Sequence, residues 1–98
     1  GKELTLEQGQ EAAKFCALNL LAQLKKKCGS LDKVKSCVKI TGYVNSTDTF
    51  VDQPKVINGA SDLISRVFGH KGKHARAAVS TNSLPLGASV EIEGIFEI

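Results

Sequence analysis

Between Thr5 and Cys28, apolar side chains return at steps of three and four: Ala13, Cys16, Ala17, Leu20, Leu21, Leu24 and Cys28. That period lines one face of an α-helix and predicts an amphipathic helix over 5–28. Thr5 and Gln8 match the capping box, in which each side chain serves the other's backbone N–H. Gly29 supplies a residue able to turn left-handed and stop the helix. The period then changes. From 33 to 45, Val34, Val38, Ile40 and Val44 take even positions, while Lys35, Cys37, Lys39, Thr41 and Tyr43 take odd ones. Such alternation predicts a strand with one core face and one mixed face. Asn45-Ser46-Thr47-Asp48 reads as a loop.

Helical spacing resumes over 52–68, with Ile57, Ala60, Leu63, Ile64, Val67 and Phe68 as the stripe. Asp52 is the expected N-cap, Pro54 is tolerated in the first turn, and Gly69 ends the helix. Gly59 inside this run costs up to ~1 kcal/mol against Ala, so it is read as a site of close packing against the sheet, with a kink as the alternative. Two strands follow, over 75–81 and 88–98, joined through Asn82-Ser83-Leu84-Pro85-Leu86-Gly87. In the last strand Val90, Ile92, Phe96 and Ile98 share one face; Glu91, Glu93, Ile95 and Glu97 share the other. In the strand before it, Ala77 and Val79 oppose Arg76, Ala78 and Ser80. If the two strands form an antiparallel hairpin with both apolar faces on the helices, Arg76 and Glu91 meet on the far face. That placement depends on register.

The order helix, strand, helix, strand, strand predicts an α+β fold, a mixed sheet with both helices on one face and a parallel strand–helix–strand crossover. The open face carries Ile95 and Tyr43 among polar groups, a composition that favours burial against other copies of the chain. Residues 1–98 make one domain. An apolar content of 42% and a charged content of 23% are ordinary for a globular chain. No apolar run approaches the ~20 residues of a membrane span. No signal-peptide core stands at the start, so the cytoplasm or an organelle interior is the expected compartment.

Charge adds little. The net value is +3, and the dense basic run Lys25-Lys26-Lys27 falls where the first helix ends. Cations there favour the helix dipole and its free carbonyls. No aromatic residue interleaves with those lysines, and no histidine pair or lysine–histidine constellation marks ribonuclease chemistry. A nucleic acid is therefore not the expected partner. Cys16, Cys28 and Cys37 lack C-x-x-C spacing, which argues against zinc and thioredoxin-like motifs. His70 and His74 have an H-x3-H spacing, but Gly69 and Gly72 argue for a loop there and no third ligand is in view. No metal or cofactor is expected.

Three groups of residues carry a family resemblance: Gly29-Ser30-Leu31-Asp32-Lys33-Val34, Thr41-Gly42-Tyr43-Val44-Asn45 and Val67-Phe68-Gly69. The most specific segment joins His74-Ala75-Arg76 to Leu84-Pro85 and Val90-Glu91-Ile92-Glu93. Together they resemble the reactive-intermediate deaminase family, also called YjgF-like and L-PSP endoribonuclease. The resemblance implies a chorismate-mutase-like fold assembled as a homotrimer, with clefts between subunits. It implies a hydrolase acting on C–N bonds that converts 2-imino acids to 2-keto acids and ammonia, without a cofactor. Arg76 matches the arginine that pairs with the substrate carboxylate, a role suited to its planar fork. Glu91 matches the acid that positions water or moves protons, with Glu93 on the same face as an alternative. Ala78 and Tyr43 complete the substrate-binding set. A non-catalytic trimeric metabolite binder and an endoribonuclease are the other readings.

Three departures qualify the match. Ala78 stands where active deaminases often carry Cys. An Asn of the second helix has two candidate counterparts, Asn58 and, counting back from Phe68, Ser61. The chain also begins almost at the first helix, where family members begin with a strand pair, so a shortened or partial domain is expected.

Overall fold

A computed structural model describes residues 5–45, 52–81, 83–84 and 88–98. The expected loop 46–48 and most of the turn 82–87 lie outside the described residues. Helix α1 spans Leu6–Cys28, strand β1 Ser36–Asn45, helix α2 Gln53–Phe68, strand β2 Ala75–Thr81 and strand β3 Val90–Glu97. Short 3-10 turns follow each helix, at Leu31–Lys33 and Gly69–Gly72.

Helix α1 starts as its sequence dictates. The Gln8 N–H donates to Thr5 Oγ1 at 3.1 Å, and the Thr5 N–H donates to Gln8 Oε1 at 3.0 Å. Two otherwise unpaired donors are thereby satisfied. Gly29 ends the helix at φ 85°. We expect Thr5→Ala to lower stability by about 1 kcal/mol, read from the midpoint of urea unfolding. An unchanged midpoint would remove the cap from the list of stabilising contacts. At α2, Asp52 occupies the N-cap without a side-chain hydrogen bond to the helix. Its carboxylate instead lies 3.6 Å from Lys55 Nζ, an exposed pair of small energetic weight.

The three strands order as β2-β1-β3. Strand β1 pairs parallel with β2 and antiparallel with β3. The parallel crossover through α2 is therefore present, but the last two strands form no hairpin with each other. Strands β2 and β3 lie on opposite edges of β1, and the connection 82–89 has more residues than a tight hairpin turn requires.

Both helices pack on one sheet face. The core joins Ala13, Ala17 and Leu21 of α1 to Cys37, Ile40 and Val44 of β1, Val56, Ile57, Ala60, Leu63 and Ile64 of α2, and Val90 of β3. One strand position departs from strict alternation. A register irregularity between Cys37 and Lys39 shifts the side-chain parity of β1. Cys37 turns into the core at 2% exposure, whereas Val38, expected inside, is 49% exposed. Burial pushes the Cys37 thiol up to about 11, so it remains protonated near neutral pH.

Gly59 also has a different neighbour from the one expected. A Cβ there would stand 2.0 Å from the backbone oxygen of Gln10. The close approach is between α2 and α1. The glycine that brings α2 against the sheet is Gly42, where a Cβ would stand 2.3 Å from Ile57 Cδ1.

Candidate functional site

Register fixes which face each candidate occupies. Arg76 is the Cα partner of Ile40, Ala78 that of Gly42 and Ser80 that of Val44. Ile40 and Val44 are buried beneath the helices, so Arg76 and Ala78 share the helix-facing side of the sheet. On the other edge, Glu91 pairs with Tyr43 and Glu93 with Thr41, residues of the open face. Arg76 and Glu91 thus lie on opposite faces and on strands separated by β1. The expected meeting of the two across a hairpin does not occur within one chain. Strand β2 is rich in alanine, so its two faces differ little in hydropathy, and the face toward the helices is the one carrying Arg76.

Helix α2 receives the guanidinium. Arg76 Nη1 donates to Asn58 Oδ1 at 2.5 Å and to Ser61 Oγ at 3.4 Å. Both residues left open as counterparts of the family asparagine therefore touch the arginine. Their spacing of three places them on one helical row, and Ser65 extends that row by another turn. The polar row Asn58, Ser61, Ser65 runs beside the apolar row Ile57, Ala60, Ile64. That pattern was the available sequence signal for this contact.

Ser61 is buried and joins a directed chain of hydrogen bonds. His74 Nδ1 lies 2.5 Å from the backbone carbonyl of Gly72, and Nε2 lies 3.0 Å from Ser61 Oγ. A carbonyl can only accept, so Nδ1 carries the proton. In the neutral ring Nε2 then accepts from the Ser61 hydroxyl. The Ser61 oxygen in turn accepts from Arg76. His74, expected in the loop marked by Gly69 and Gly72, is part of the support for the arginine. Gly72 makes this turn tight, since a Cβ there would stand 2.7 Å from the Ile64 carbonyl oxygen.

Among the described residues, Nη2 and Nε of Arg76 carry no hydrogen bond, and its side chain is exposed. Beside it is a depression of about 300 Å³ lined by Ser61, Ser65, Lys73, His74 and Arg76. This size is at the lower end of small-molecule cavities. Lys73, His74 and Arg76, near neighbours in sequence, therefore line one basic depression. Among the described residues no carboxylate lines it.

The open face has its own constellation. The Tyr43 hydroxyl is held above its ordinary range, first by its hydrogen bond to Glu93, then by the charge of Glu93, with burial and the charge of Glu91 adding smaller effects. Tyr43 is thus engaged with the carboxylates and stands across the sheet from Arg76. Cys16 also feels Glu91: burial chiefly, and then that charge, raise its thiol. Its sulfur lies 3.5 Å from the Val90 carbonyl oxygen. Among the described residues no group of three or more His, Cys, Asp or Glu side chains could hold a metal ion. No helix among them is long and apolar enough to cross a membrane.

Comparison with known proteins places this arrangement. Residues 1–96 match the family described as "YjgF/chorismate_mutase-like, putative endoribonuclease", and the chain belongs to that family. It is 48% identical to Protein TCP17 of Trypanosoma cruzi, over the whole of this chain and 62% of that protein. Its fold superposes on Atu1372 of Agrobacterium tumefaciens, a protein "with unknown function", at a TM-score of 0.98 and 49% identity, covering the whole chain and 64% of that structure. A structure of "a putative endoribonuclease" from Shewanella oneidensis matches at 0.96 and 32% identity, over the whole chain and 65% of that structure. The chain therefore spans a little under two thirds of the length of these relatives. The α+β fold with two helices on a mixed sheet is that of the family.

Proposed function

We propose that the chain is the Arg76-bearing part of a hydrolytic deaminase acting on 2-imino acids. The observation that carries this reading is the Arg76 guanidinium, held through Nη1 by Asn58 and Ser61 and lining an open depression. A fork held in this way is organised in advance for a planar carboxylate. With the carboxylate bound, the adjacent C2=N carbon lies beside the depression. Water adds to C2 as the C=N π bond breaks and one water proton passes to nitrogen; the resulting hydroxyl then gives its proton to nitrogen as the C–N bond breaks, releasing ammonia and leaving the C2=O of a 2-keto acid. Ala78 lies on the same face as Arg76, two residues along β2, and packs against the core.

The acid has a different address. Glu91 stands on the open face and does not reach Arg76 of its own chain. The proposed assembly is a homotrimer in which open faces meet, covering Val38, Val79 and Ile95, which are exposed in the single chain. Glu91 of a neighbouring copy, with Tyr43, then approaches the cleft edge. The proposed compartment is the cytoplasm.

A second reading, endoribonuclease, is favoured by the cluster of Lys73, His74 and Arg76 and by the description of the Shewanella oneidensis relative. Against it, both ring nitrogens of His74 are already engaged. The test is a paired assay on one preparation. Freshly generated 2-iminopropanoate is followed by loss of imine, and a mixed-sequence RNA by cleavage at low and high salt. We expect imine hydrolysis above the spontaneous rate and no cleavage that depends on Lys73 or His74. RNA cleavage abolished by His74→Ala, with no effect on imine decay, would replace the deaminase by the nuclease.

A further inference from the structure

The depression beside Arg76 has a composition that one carboxylate does not satisfy. The described residues that line it contribute two cations, Lys73 and Arg76, two hydroxyls, Ser61 and Ser65, and the His74 ring. Among the described residues no apolar side chain lines it, and the acidic side chains of the sheet, Glu91, Glu93 and Glu97, belong to the opposite face by register. Ser61 is occupied on both sides, accepting from Arg76 and bonded to His74. Ser65 lies one helical turn beyond it and is exposed, as is Lys73. Among the described residues Lys73 has no ion pair. A substrate with an alkyl side chain would bring apolar surface against the Lys73 ammonium and the Ser65 hydroxyl and leave that cation unmatched. A second anionic group on a short chain would match it.

We propose that the site takes dicarboxylic 2-imino acids and the corresponding 2-keto diacids, with Arg76 holding the first carboxylate and Lys73, with Ser65, the second. This rests on the deaminase reading for the chemistry but not for the binding. Lys73 is the residue that sets specificity. It lies three residues before Arg76 in an extended segment, a span of roughly 10 Å along the backbone, and both side chains line the same depression.

The experiment is a binding comparison on the full chain by NMR titration at low salt, using stable keto acids that differ in the distal carboxylate, 2-oxopentanedioate and 2-oxopentanoate. The diacid is expected to bind at least about tenfold more tightly. In Lys73→Ala that ratio should fall to within about twofold. Lys71→Ala, an equal change of charge two residues away and outside the depression, should keep it. Equal affinity for the two acids, or a preference that survives Lys73→Ala, would overturn the proposal. A preference lost equally in Lys71→Ala would also overturn it, since it would reflect general surface charge. The deaminase reading is scored separately by imine hydrolysis. A chain that binds the diacid through Lys73 but hydrolyses no imine keeps the ligand class and loses the reaction.

Discussion

Arg76→Ala is expected to lower kcat/KM for 2-imino acids by roughly a hundred- to ten-thousandfold, with little change in folding. A charge-assisted hydrogen bond contributes about 1.5–3 kcal/mol, and a bidentate carboxylate contact has two, so its loss corresponds to a factor of this size. The fold is insulated because Arg76 is exposed and because Ser61, its buried partner, keeps the bond to His74. The thermal midpoint should therefore stay close to that of the parent chain. Arg76→Lys should recover less than about tenfold, since an ammonium restores charge without the fork. Asn58→Ala tests positioning. The guanidinium remains but loses its contact with Oδ1, and we expect about a tenfold rise in KM with a smaller change in kcat. Steady-state kinetics on freshly generated imine, with a melting curve for each variant, checks all three. Wild-type kcat/KM in Arg76→Ala would remove the proposed site.

Gly59→Ala is the second large effect. It should destabilise the chain by about 2–3 kcal/mol or more, a value typical of severe overpacking. For a domain of this size that is roughly a 10–20 °C fall in thermal midpoint. The direction runs against helix propensity, which favours Ala over Gly by about 1 kcal/mol. The added Cβ would stand 2.0 Å from the Gln10 carbonyl oxygen and 2.8 Å from its carbon. Backbone cannot rotate aside as a side chain can, so α1 and α2 must separate. The hydrogen bond from Gln10 Nε2 to the Lys55 carbonyl, 2.9 Å long, crosses the same interface and would be strained with it. Gly69→Ala is the useful contrast. Its φ of 62° disfavours a side chain, yet nothing lies within 4 Å of the new Cβ. There the cost is conformational only, on the order of 1 kcal/mol. A Gly59→Ala variant as stable as the parent would contradict the close helix contact.

How far the sequence carried these conclusions varies by element. Helix α1 was legible to its first residue, because Thr5 and Gln8 encode a local hydrogen-bond pair that needs no distant partner. The parity of β1 was legible from Ile40 onward, but not before it. A bulge adds one residue to one strand only, and alternation in a single sequence does not show where the partner slips. Hence Val38 and Cys37 exchanged places. Pairing β2 with β3 followed from their adjacency in the chain. The observed order depends on β1 offering both of its edges, a tertiary fact.

Site legibility followed the same division. Arg76 was marked by its motif, whereas its face was not, because Ala77, Ala78 and Val79 give both sides of β2 similar hydropathy. Asn58 and Ser61 competed as alternatives when counted along the chain, and in space both contact the same nitrogen. His74 was concealed by glycines that suggested an open loop. The close packing of Gly72 on α2 turns that loop back and brings the imidazole to Ser61.

The central claim is that a carboxylate seats on the Arg76 guanidinium, and chemical-shift mapping with 2-oxopropanoate, the product of 2-iminopropanoate hydrolysis, tests it most directly. The account predicts that the largest shifts fall on the Arg76 guanidinium, the Asn58 side-chain amide and the backbone around Ser61 and His74, and that they vanish in Arg76→Ala. Shifts centred on Tyr43, Glu91 and Glu93 of the open face, or unchanged in Arg76→Ala, would contradict it.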